Sequence, residues 1–158
     1  MVRTTQTINL QLSQMADQKA NMLMAASSIV FTLTLSQLHS GGPMTAALAI
    51  LAVAALVSVG LAILTVRPSV AHVVGPVPDE ANLLFFGVFT AMPEADYIER
   101  MLPRLQSDEA TYRTMLRDID QNGRVLRDKK YRLLAAGYGV FLAGLLCAAI
   151  AAAITLLA

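Results

Sequence analysis

The chain has little of what metal or thiol chemistry needs. Its one cysteine, Cys147, lies inside an apolar run, so it forms no intrachain disulfide and supplies no thiol cluster. Its two histidines, His39 and His72, stand alone, and no His, Cys, Asp or Glu group has the spacing of metal ligands. Gly41-Gly42 and Gly137-x-Gly139 precede no Lys-Ser/Thr pair and follow no strand, so neither is a phosphate loop. No nucleophile has a base beside it in sequence. The residues therefore predict no catalytic group, no cofactor, no metal and no enzyme.

Charge is scarce as well. Charged residues make up 15% of the 158 residues and hydrophobic ones 56%, against about 25% and 45–50% in ordinary soluble domains. The distribution says more than the total. Apart from Arg3, Asp17 and Lys19, every formal charge falls between Arg67 and Arg132, where ten Lys/Arg balance ten Asp/Glu. That neutral balance gives no basic field for a nucleic-acid polymer.

What remains is three uncharged stretches, 20–38, 44–66 and 133–157. Each has the ~20 residues that a helix needs to cross a hydrocarbon core of ~30 Å. The first lacks the compact basic start and A-x-A cleavage site of a signal peptide, so it reads as a retained span. The fold class that follows is an all-α membrane protein with three transmembrane helices and a small cytoplasmic helical domain between the second and third. The expected divisions are a cytoplasmic helical leader at 1–19, a transmembrane hairpin at 20–66, a cytoplasmic helical domain at 67–132 and a third span at 133–157. Basic residues mark one side of the membrane: Arg3 and Lys19 before the first span, Arg67 after the second, and Arg127, Lys129, Lys130 and Arg132 before the third. By the positive-inside rule the N-terminus is cytoplasmic, and the hairpin tip at Ser40–Pro43 and the C-terminal Ala158 face outward.

Within the leader, Ile8, Leu12 and Met15 at helical spacing predict an apolar face that continues the first span into the cytosol. Pro68, Pro76 and Pro78 break the chain after the second span. Asp79 or Asn82 starts a short helix through Leu83–Thr90, Pro93 opens another, and Pro103 bends or ends it. Ser107-Asp108-Glu109 caps a last helix with Tyr112, Leu116, Ile119 and Leu126 on its inner face. Gly123 weakens that helix without breaking it. The expectation is one helix of roughly 50 residues, about 75 Å long, half in the cytosol and half in lipid.

Small residues four apart, Ala54/Ser58/Ala62, Gly139/Ala143 and Gly144/Ala148, let membrane helices approach closely. Asp17, Asn21, Ser28, Thr32 and Ser36 form a polar stripe along one side of the first helix. It reads either as a surface lining a water path or resealing between subunits, or as interhelical hydrogen bonding within the bundle. Lys19 reads as a snorkelling residue. Arg113, Arg117, Arg124 and Arg132 line one side of the cytosolic helix, but the i,i+4 pairs Glu109–Arg113, Asp120–Arg124 and Asp128–Arg132 would neutralise that side.

Read in order, Asp17-Gln18-Lys19-Ala20-Asn21, Asn82-Leu83-Leu84-Phe85-Phe86-Gly87, Asp96-Tyr97 and Lys130-Tyr131 form a series that resembles the transmembrane effectors of Pycsar antiphage systems. The resemblance covers nearly the whole chain. It implies a partner nucleotide cyclase that answers phage infection with a 3′,5′-cyclic pyrimidine nucleotide. The effector would respond by impairing the bacterial inner membrane, in abortive infection. Such a ligand needs a partner for its phosphate, for which Arg100, Arg104, Arg113 and Arg117 are candidates. Asn82, Phe85, Phe86 and Tyr97 are candidates to frame its base. A charged domain of this size barely has a core, so a homo-oligomer in contact with membrane lipid is expected. The alternatives are a non-lytic anchor or regulatory subunit for a soluble partner, and a holin-like pore former.

Overall fold

A computed structural model describes residues 1–39, 41–67 and 77–157. Ser40, Pro68, His72, Pro76 and Ala158 lie outside the described residues. Among these described residues all regular structure is helical: α1 (Val2–Leu38), α2 (Thr45–Val66), α3 (Phe86–Phe89), α4 (Glu94–Leu105), α5 (Asp108–Val125), a π-helical turn (Leu126–Tyr131) and α6 (Arg132–Leu157). Three helical runs are long and apolar enough to cross a membrane: Val2–Leu38, Thr45–Val66 and the 50-residue run Asp108–Leu157 that joins α5, the π turn and α6. Gly123 sits inside α5 with open space around it and does not break it. The irregularity comes just after, where the π turn changes the hydrogen-bond step.

The chain divides into two compact units, Met1–Leu12 with Pro68–Leu126, and Ser13–Arg67 with Arg127–Ala158. The second unit holds α2, α6 and most of α1. Most of its buried positions are small: Ala47, Ala52, Ala55, Ser58 and Ala62 on α2, Gly137, Gly144 and Ala148 on α6, beside the larger Leu23 and Leu134. Small side chains bring the backbones together, which is how apolar helices gain van der Waals contact in lipid. Gly144 packs so closely on Ala54 that a methyl group there would collide with the Ala54 Cβ. At Gly137 an added Cβ would stand 3.0 Å from Leu23 Cδ2. Gly139 has nothing within 4 Å of an added Cβ, and Ala143 is exposed. The Gly139/Ala143 pair therefore faces outward, and Gly137 takes the packing place expected of Gly139.

The first unit contains the first turns of α1 together with α3, α4 and α5. Ser107 caps α5, its Oγ accepting from the Ala110 amide at 3.2 Å. Pro93 sits at the N-cap of α4, one residue before the first helical position. Pro103 lies within α4, which ends two residues later at Leu105. Leu83 is fully buried, worth about 2 kcal/mol for a side chain of its size. The inner face expected on the last helix holds in part: Leu126 is buried, while Tyr112 and Leu116 are exposed, as is Ile8 on α1. The reason is polar: the Asn9 amide donates to the Ile119 carbonyl at 3.2 Å and Gln6 to Asp118 at 3.4 Å, so the amide side of α1 faces α5.

Candidate functional site

The first unit is organised by Asp118, a residue with no local sequence signal. Its carboxylate accepts from the amide nitrogens of Asn82 and Asn122, both at 2.9 Å, and from Gln6. Asn82 is buried, and its own oxygen accepts from the Leu84 amide at 3.0 Å. Donor and acceptor are both used inside the fold, so Asn82 anchors the Leu83 segment to α5.

The candidate phosphate-binding arginines are similarly committed. Arg100 donates to the Val77 carbonyl at 2.9 Å and stands 3.6 Å from Asp79. Arg104 donates to the carbonyls of Asp79 and Ala81 at 2.8 and 3.2 Å, and Arg117 to that of Glu80 at 3.0 Å. Together the three pin residues 77–81, a segment without regular structure, by filling its carbonyls. Arg113 is exposed and pairs with Glu109 at 2.9 Å, and Arg124 pairs with Asp120 at the same distance. At the third expected pair Asp128 is engaged by its neighbour Arg127 at 2.7 Å. Asp128 lies in the π turn, where i,i+4 residues no longer stack as they do in an α-helix.

The candidate aromatics form two couples. Phe85 and Phe86 have ring centroids 5.1 Å apart, and Tyr97 lies 5.7 Å from Phe89. Phe86 and Phe89 keep much of their surface exposed. Among the described residues no buried side-chain polar atom lacks a partner, and no His, Cys, Asp and Glu group gathers for a metal ion.

The second unit holds the strongest ionic constellation. The Lys130 ammonium, in the π turn, donates to both carboxylate oxygens of Asp17 at 2.7 Å and to Ser13 Oγ at 2.8 Å. Both side chains are largely withdrawn from solvent, at 22% and 34% exposure. Charge-assisted bonds in that setting are stronger than those of a solvated surface pair. The clamp ties α1 to the start of the third span. It joins two of the segments singled out in the sequence, Asp17-Gln18-Lys19-Ala20-Asn21 and Lys130-Tyr131, whose mutual contact no local pattern could reveal.

Of the polar stripe, Asp17 is thus taken inward. Asn21, Ser28, Thr32 and Ser36 are exposed on the outer side of α1. Thr32 and Ser36 return their hydroxyls to the carbonyls of Ser28 and Leu33, both at 2.9 Å. The interhelical hydrogen bonds run through other residues: Ser27 donates to Ser58 at 3.2 Å, and Ser58 to the Gly137 carbonyl at 3.0 Å. That three-helix relay was hidden because Ser27 lies beside Ser28 in sequence but about 100° round the helix from it, where it is buried while Ser28 is exposed.

No curated protein and no solved structure matches the chain. A family model describing the Pycsar effector protein domain, PycTM, matches residues 1–157. The match extends over both units and all three apolar helices, and with it the chain belongs to the Pycsar effector family.

Proposed function

We propose that this antiphage effector senses a 3′,5′-cyclic pyrimidine nucleotide made by its partner cyclase and impairs the bacterial inner membrane, causing abortive infection. The observation that carries the reading is the pair of long helices. α1 and the 50-residue run Asp108–Leu157 each contribute residues to both units without a helical break. The Asp17–Lys130 clamp fastens them to one another inside the second unit. A ligand that favours one arrangement of the charged unit would act on the spans through these rods. It can do so only by its differential affinity for that arrangement, typically ~1–3 kcal/mol of coupling.

The effector works as a homo-oligomer, with its N-terminus and charged unit cytoplasmic and its C-terminus periplasmic. Two exposed surfaces support self-association. Ile98, Leu102 and Leu105 form an apolar side of α4 that is open in the single chain. Asn21, Ser28, Thr32 and Ser36 place polar groups on the outside of a membrane helix, where facing another helix is more favourable than facing lipid. Because Arg100, Arg104 and Arg117 fill carbonyls of residues 77–81, an incoming phosphate would compete for them and release that segment.

Heat stability of the purified full chain tests the sensing step. One cyclic pyrimidine nucleotide should raise the melting temperature, with ~2.7 kcal/mol of added stability at a hundredfold excess over its Kd. No change with the cyclic uridine or cytidine nucleotide at saturation would overturn direct sensing.

A further inference from the structure

Where α1 enters its uncharged run, it forms one wall of an open cleft of about 340 Å³ lined by Lys19, Tyr131, Leu134, Ala135 and Tyr138. The Tyr138 hydroxyl donates to the Lys19 carbonyl at 3.2 Å, fixing α6 against α1 at this level. The lining is ordered along the helices. Lys19 and Tyr131 precede the uncharged stretches 20–38 and 133–157, while Leu134, Ala135 and Tyr138 lie inside the second of them. The cleft thus straddles the depth at which headgroups give way to acyl chains, where tyrosine rings are at home.

The two lysines nearest this level in sequence have different fates. Lys130 is consumed by Asp17 and Ser13. Among the described residues the Lys19 ammonium forms no ion pair or hydrogen bond. An unpaired ammonium at the edge of the hydrocarbon favours an anion, and at a membrane surface the abundant anion is lipid phosphate.

We propose that this cleft is a binding site for an anionic phospholipid. The phosphate rests on the Lys19 ammonium, the Tyr131 and Tyr138 rings flank the glycerol region, and an acyl chain lies along Leu134 and Ala135. The site does not depend on what the effector senses. A zwitterionic lipid fits less well, because its own cation competes with Lys19 for the phosphate.

The test is lipid retention by the purified full chain in native mass spectrometry, after mixing with micelles containing equal phosphatidylglycerol and phosphatidylcholine. The unsubstituted protein should retain phosphatidylglycerol preferentially. Lys19→Gln should reduce that retention about fivefold, the size expected for one basic group at an anionic surface, and Lys129→Gln should leave it within twofold. Equal retention of the two lipids would overturn the proposal. So would an unchanged Lys19→Gln, or an equal loss in Lys129→Gln, which would mean diffuse surface charge. Displacement of the lipid by millimolar inorganic phosphate would show a small-anion site in place of a lipid site and would overturn it too.

Discussion

Asp17 and Lys130 show how much the setting of a charge matters. An exposed ion pair contributes under ~1 kcal/mol, but this one is half-buried and its lysine makes three short bonds. Lys130→Met would leave the Asp17 carboxylate without its counter-charge and should cost about 1–3 kcal/mol. The reversed pair, Asp17→Lys with Lys130→Asp, should recover part of that loss, as contacting residues couple by ~0.5–3 kcal/mol. Chemical unfolding in detergent of the unsubstituted protein, Asp17→Lys, Lys130→Asp and the double variant measures the cycle. Additive losses with no recovery would mean that the clamp is incidental. At this scale the sequence was only partly legible. It offered Asp17 and Lys130 separately, and it offered Asn82 without Asp118, because each pair is joined across a long stretch of chain. The sequence offered Arg100, Arg104 and Arg117 as phosphate candidates but not their bonds to carbonyls of a loop whose conformation no pattern foretells.

Among elements, the three apolar helices were plain in the sequence because exclusion of charge over a membrane's width is a coarse and strong signal. Which face of each helix turns inward was harder. In lipid the inner face is chosen more by smallness than by hydrophobicity, so most Leu and Ile stand outward while Ala, Ser and Gly pack, with Leu23 and Leu134 the buried exceptions. In the charged unit Tyr112, Leu116, Ile119 and Leu126 were expected inward; Leu126 is buried but Tyr112 and Leu116 are exposed, where amide bonds to Ile119 and Asp118 make the contact with α1. Gly144 and Gly139 turn the packing argument into a contrast. Gly144→Ala drives a methyl group into Ala54 and should destabilise the α2–α6 pair by about 1–3 kcal/mol. Gly139→Ala meets open space and should stay within about 0.5 kcal/mol of the unsubstituted protein. Thermal unfolding in detergent distinguishes them, and equal effects would contradict the packing of α6 on α2.

For the molecule as a whole, the central claim is that a soluble signal is converted into membrane damage by this chain alone. The route proposed for the change is the pair of helices that contribute residues to both units. The direct measurement is ion leakage from sealed vesicles holding the purified chain, with a potential set across their membranes. Addition of the cyclic pyrimidine nucleotide that stabilises the chain should collapse the potential, and the same nucleotide with its phosphate ring opened should not. A potential that stays intact with that ligand bound would contradict the account and leave the chain a membrane anchor for some other agent.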